Sequence, residues 1–150
     1  MTRLNFPRYD FRLREREGCR YIWDRLRKAW LVLTPEEWVR RNLVEWLLSD
    51  MGVDKGHIVQ EHTLCIGRKP FRADVVCFDA SLRPLLLAEC KAPEVTIDRA
   101  ALEQAVKYNS VLEARYVMLT NGLTHYFLEK TDTGEYRQLK ELPLIGVDKL

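Results

Sequence analysis

The chain lacks the features by which a sequence usually announces a membrane, an export route or a cofactor. No apolar run is longer than a few residues. That of Pro84 to Ala88 falls far short of the roughly 20 residues a membrane-spanning helix needs. Met1 is followed by polar, Arg-rich sequence instead of an apolar signal-peptide core, so the expectation is a cytoplasmic protein that makes no membrane contact. The four cysteines, Cys19, Cys65, Cys77 and Cys90, form no C-x-x-C pair and have no His at zinc-ligand spacing. Three of them lie in strand-like apolar runs, where reduced, buried thiols behave as small hydrophobes. His57, His62 and His125 are scattered and suggest no cluster. No G-x-x-x-x-G-K-[ST] occurs, which excludes an ATP-driven motor of that kind within this chain. There are no internal repeats and no low-complexity linker.

What is present is ordinary for a globular domain. At 150 residues, with 47% hydrophobic and 31% charged residues, the chain can bury a core, whereas two independent domains would be cramped. The reading is one domain over residues 1–150, with residues 1–33 as an N-terminal extension packing on the core. A net charge of +2 argues for no particular partner, but its distribution is uneven. Residues 1–41 hold eleven Arg or Lys against six Asp or Glu, a local balance that would attract a phosphate backbone or simply solvate a leader.

Residues 1–20 have no clear period, and Tyr21 to Leu33 is expected to drape over the core. Thr34-Pro35-Glu36-Glu37 reads as a helix start, with an N-cap Thr, Pro in the first turn and early acids. That helix should run from Pro35 to about Asp50 with Val39, Leu43, Trp46 and Leu47 inward. Strands are expected over His57 to Ile66, Ala73 to Asp79 and Pro84 to Lys91, the third with the near-continuous apolar run of a strand covered on both faces. A helix from about Asp98 to Glu113 leads to a strand over Arg115 to Thr120 and a turn at Asn121-Gly122. Thr124 to Glu129 and Tyr136 to Leu139 flank a hairpin turn at Thr131 to Gly134. Strand, crossover helix and strand in this order predict a parallel pair in an α/β fold.

Charges near two buried-looking strands are the most informative feature. Asp74 lies in RADVVCFD; Glu89 and Lys91 lie in PLLLAECKAP. Residues two apart on a strand share a face, so Glu89 and Lys91 sit side by side while Cys90 faces into packing. With Asp74 on the neighbouring strand, two carboxylates and one ammonium converge, which suits a divalent cation beside a water to be activated. A salt bridge at a strand end is the alternative reading of the same residues. With only Lys91 to offset them, the two carboxylates repel, so the metal-free site should be loose or partly protonated. Gln104 and Tyr108 follow one turn apart on one helix face. Glu36 shares the inward face of the first helix, with Glu37 a quarter-turn away as the alternative acid.

Asp74, fourteen intervening residues and then Glu89-Cys90-Lys91 resemble the PD-(D/E)XK nuclease superfamily, and Gln104-x-x-x-Tyr108 resembles its RecB-like members. LTPEEWVRRNLVEWLL, RADVVCFD, PLLLAECKAP, EQAVKYN and RYVMLTNG together resemble the N-terminal domain family of type I restriction enzyme R subunits, in its small stand-alone bacterial version. The resemblance implies an α/β, restriction-endonuclease-like core with a mixed central sheet flanked by helices. It also implies a hydrolase of the restriction-modification kind, an endonuclease that uses Mg²⁺ or Mn²⁺ on DNA. By resemblance, Asp74 and Glu89 with the Cys90 backbone carbonyl would hold the metal. Lys91 would orient the attacking water, Gln104 would position Lys91 and a phosphate, Glu36 would approach the metal, and Tyr108 and Lys107 would contact nucleic acid. A separate motor or restriction-modification subunit is the partner this implies; a homodimer is a further alternative, because cutting both strands needs two sites or two visits. A module that keeps the fold and binds nucleic acid without cutting it is the alternative.

Overall fold

The computed structural model describes residues 1–146. Two sheets and two helices account for most of them. The first sheet comprises β1 (Leu13–Arg16), β2 (Cys19–Asp24) and β3 (Ala29–Val32), all antiparallel in the order β1-β2-β3. This departs from the sequence expectation of an unpatterned leader and a draped segment. These short strands are half exposed, so their composition shows no clean apolar alternation, and their pairing rests on the partner strand instead.

α1 (Pro35–Ser49) begins where the capping signal placed it, with the Thr34 side chain accepting the Glu37 N–H at 3.0 Å. The second sheet holds β4 (Ile58–Ile66), β5 (Lys69–Phe78), β6 (Pro84–Cys90), β7 (Tyr116–Thr120), β8 (His125–Lys130) and β9 (Tyr136–Leu139). They lie in sequence order, and only β6 and β7 pair in parallel. α2 (Arg99–Leu112) makes that crossover, with Asp98 capping its first turn and Glu113 closing it in the left-handed conformation. The sheet is therefore mixed, as expected, because a parallel pair needs a long connection while hairpins serve the rest.

Val39, Leu43 and Leu47 of α1 pack with Val75, Cys77, Leu86, Ala88, Cys90 and Met118 on one side of the sheet. Ala73, Val76 and Leu87 pack on the other side with Ala114 and with Tyr108 and Leu112 of α2. The segment before β1 is tied down at the β7–β8 turn, where Asn5 N–H donates to the Gly122 carbonyl at 2.7 Å and the His125 ring contacts the Asn5 carbonyl at 2.7 Å. Gly122 sits at φ 86°, and a Cβ there would come within 2.7 Å of buried Leu4. Cysteine burial is mixed: Cys77 and Cys90 are buried, but Cys65 is exposed, contrary to expectation. Its strand belongs to the protruding end of the β4–β5 hairpin, where one face has no covering layer. No helix among the described residues is long and apolar enough to cross a membrane.

Candidate active site

Strand alternation should place Ala73 and Val75 on one face, yet they pack on opposite sides of the sheet. The irregularity lies between them and across from them. β4 and β5 pair Gln60 with Val75 and His62 with Ala73, leaving Glu61 and Asp74 between these pairs, and Glu61 has φ 53°. From this point Asp74 reaches the end of β6. There Asp74 Oδ2 accepts the Cys90 backbone N–H at 2.8 Å.

A cleft of about 230 Å³ opens at this point, lined by Glu36, Arg72, Asp74, Glu89, Cys90, Lys91, Gln104 and Tyr108 among others. The sequence had singled out all of these but Arg72. Four elements deliver them: α1 gives Glu36, β5 gives Arg72 and Asp74, β6 and the residue after it give Glu89 to Lys91, and α2 gives Gln104 and Tyr108. Lys107 does not line the cleft. It is exposed on α2, since it stands one position from Tyr108 and helix geometry turns it about 100° away.

Glu89 is the most perturbed group. It is buried, and its Oε1 has no hydrogen-bond partner. Desolvation, a hydrogen bond with Asp74 and the Asp74 charge together push its carboxyl up to about 9, while Lys91 pulls the other way. The expected partial protonation of the metal-free site thus falls on Glu89. Glu36 is also raised, first by burial and then by Asp74. Cys90 is buried among apolar residues with its thiol pushed up by desolvation, so it is no nucleophile.

The choice between the two acids of α1 is made by the arginines. Glu37 accepts from Arg40 and from Arg41, each at 2.9 Å, and stays out of the cleft; Glu36 faces into it. Those arginines were overlooked in the sequence. Arg40 donates to Asp74 Oδ1 at 2.9 Å and lies 3.5 Å from Glu61. Arg41 lies 3.0 Å from Asp24 of β2 and also donates to Gln60. The assumption that Lys91 alone offsets the carboxylates is therefore corrected, because Arg40 is already in place on Asp74. The available signal was the Glu36–Arg40 and Glu37–Arg41 spacing of four, which the inward apolar stripe masked.

Tyr108 stacks on Phe71 with ring centroids 4.1 Å apart and 13° between planes. The ring thus packs between α2 and β5 while the residue lines the cleft. Gln104, one turn earlier, is exposed at the cleft wall.

Among the described residues no group of three or more His, Cys, Asp or Glu side chains is arranged to hold a metal. Two adjacent carboxylates nevertheless fit Mg²⁺, which keeps several waters and takes one or two carboxylates plus substrate phosphates instead of an all-protein cage. The unpartnered Glu89 Oε1 is the acceptor such a cation would satisfy.

Comparison with known proteins places the chain. No curated protein matches it. Solved structures that match include a fragment described as that of an HsdR subunit of a type I restriction enzyme from Vibrio vulnificus YJ016, at 24% identity and a TM-score of 0.39. That match covers 57% of this chain and 18% of the other, so the chain spans only a small part of its neighbour. The profile described as type I restriction enzyme R protein N terminus (HSDR_N) matches residues 35–143, from the start of α1 to beyond β9. With well over half of its length inside that match, the chain belongs to the HSDR_N family of type I restriction enzyme R protein N termini.

Proposed function

We propose that this chain is a metal-dependent nuclease domain with a restriction-endonuclease-like core of the RecB-like PD-(D/E)XK type, hydrolysing phosphodiester bonds in DNA in the cytoplasm. The observation that carries this reading is the convergence of Asp74, Glu89, Lys91 and Gln104 on one cleft, with a carboxylate oxygen of Glu89 buried and unpartnered. An unsatisfied buried acceptor costs stability, which a cation would recover.

In this reading Asp74 and Glu89, with the Cys90 carbonyl, hold Mg²⁺ or Mn²⁺, which when bound supplies Lewis acidity at the phosphoryl group. Binding requires Glu89 to give up its proton, so metal affinity rises with pH. The Lys91 ammonium, beside Glu89 and without an ion-pair partner among the described residues, orients the attacking water and stabilises charge developing on phosphorus-bound oxygen. Gln104 and the Tyr108 hydroxyl position the phosphate. Arg72, at the cleft with a side chain 65% exposed, is placed to meet the flanking strand. Glu36 faces the same cleft as a third acid. The family context adds DNA, a separate motor or other restriction-modification subunits as partners, and a homodimer would let two such clefts act on both strands of a duplex.

The test is incubation of supercoiled plasmid with wild type and Lys91→Ala in Mg²⁺, in Mn²⁺ and in chelator. Cutting by wild type with metal alone supports the reading. The Arg40–Asp74 ion pair favours a second reading, in which Asp74 is a structural anchor and the domain binds nucleic acid without cutting it. That reading holds if neither protein cuts with either metal while both bind DNA equally.

A further inference from the structure

We infer that the outer face of the N-terminal sheet binds single-stranded nucleic acid at a site separate from the cleft. Directly opposed residues of paired strands share a face, and the register opposes Arg14 to Tyr21, Arg16 to Cys19 and Trp23 to Trp30. The Trp23 N–H donates to the Arg12 carbonyl at 2.9 Å, which continues the pairing by one residue. Arg12, Arg14, Arg16, Tyr21, Trp23 and Trp30 therefore point the same way. The opposite face carries Ile22 and Asp24, at 0% and 1% exposure, and Asp24 is held by Arg27 and by Arg41 of α1. The face with the arginines and aromatics is thus the one that looks outward, its arginines exposed and its rings partly so.

The arginines are ordered by the rings. The Arg12 guanidinium carbon lies 4.8 Å from the Trp23 centroid and 5.4 Å from that of Trp30, while that of Arg14 lies 4.3 Å from Trp30. A guanidinium stacked by its face keeps its edge N–H groups free to donate. Arg12, Arg14 and Arg16 have no ion-pair partner among the described residues, and the acid on β1, Glu15, belongs to the other face. Three cations without a counter-charge, two of them held against the rings, call for a string of anions. Partly exposed indole and phenol rings interleaved with them call for flat apolar groups between those anions. An unpaired strand offers both, phosphates along its backbone and bases free to stack, whereas a duplex keeps its bases stacked inside. The sheet reaches the cleft through α1, since Arg41 holds Asp24 and the adjacent Arg40 holds Asp74.

The test uses fluorescein-labelled oligo-dT of about 15 nucleotides, a length in the range such platforms cover, followed by anisotropy in chelator so that cutting cannot occur. Duplex of equal length is the comparison, and the proteins are wild type, Arg14→Ala, Trp30→Leu and Lys91→Ala. The expectation is salt-sensitive binding of oligo-dT in preference to duplex, weakened about tenfold by Trp30→Leu and unaffected by Lys91→Ala. Arg14→Ala, on an exposed side chain that leaves the fold intact, should weaken it and lower the salt slope by about one. Unchanged oligo-dT affinity in both sheet variants overturns the inference, as does failure of wild type to bind at low salt. Self-association lost in Trp30→Leu without any oligonucleotide binding also overturns it and marks the face as a protein contact. Plasmid cutting is read separately, so a nuclease that fails here and a non-nuclease that binds oligo-dT are told apart.

Discussion

The Arg40 guanidinium donates to Asp74 Oδ1 at 2.9 Å, and this contact reverses what the charge pattern implied for Asp74. Two carboxylates facing one lysine would gain from losing a charge. An Asp74 that already holds Arg40 and the Cys90 N–H does not. Asp74→Asn should therefore destabilise the metal-free protein, by about 1–3 kcal/mol as for a charged hydrogen-bond partner removed from a buried group. A thermal melt in chelator measures it; a higher melting temperature in the variant would contradict the ion pair.

Metal linkage is read in the same melts. If Asp74 and Glu89 hold Mn²⁺ in the folded state alone, metal at about a hundred times its dissociation constant adds roughly 2.7 kcal/mol, or several degrees. Asp74→Asn should lose most of that increment. A wild-type protein without any shift at millimolar Mn²⁺ would sink the metal site.

Glu89 predicts a pH dependence. Its carboxyl is raised from the ordinary 4.5 to about 9, so the folded state holds a proton that the unfolded chain releases. The unfolded state then binds fewer protons between those values, and stability from this group, complete below pH about 4.5, falls as pH rises and is lost through about 9. Glu89→Gln, which carries no titrating proton, should flatten this decline and be the more stable protein at pH 8 in chelator. Denaturant melts at several pH values check it, and parallel curves for the two proteins would refute the assignment.

Tyr108 separates packing from contact with phosphate. Tyr108→Phe keeps the stack on Phe71 and should melt like wild type. Tyr108→Ala should cost at least the 0.5–1.5 kcal/mol of an aromatic pair in addition to lost burial. If the hydroxyl touches phosphate, Tyr108→Phe should raise the concentration of DNA needed for half-maximal cutting; equal cutting curves would leave Tyr108 a packing residue.

Lys91→Ala should leave the melting temperature within about a degree, since an unpaired side chain contributes little to stability. Cutting should fall by a factor of about a hundred or more, the scale of losing one charge-stabilising group. Residual cutting close to wild type would remove Lys91 from the mechanism.

Much of this protein was determined within single segments of the sequence. Thr34-Pro35 and Asp98 start helices because a side-chain acceptor before an apolar-periodic run satisfies free N–H groups, wherever that run later packs. Glu89 and Lys91 reach the same cleft because strand period is a backbone property, and Gln104 and Tyr108 do so because helix period is. Burial of Arg40 and Arg41 was decided elsewhere. It depends on β4 and β5 bringing Glu61 and Asp74, and on β2 bringing Asp24, to the same side of α1; without those carboxylates two arginines there would be pushed into water. The same holds for the β1–β3 sheet, whose half-exposed strands carry little pattern of their own, and for Asp74. It is held by Arg40 of α1 and the Cys90 N–H of β6, two elements far from it in the chain. Periodicity and capping act over a few residues and leave a mark in composition. Charge pairing and strand register act between segments far apart in the chain, and only the tertiary structure decides which segments meet.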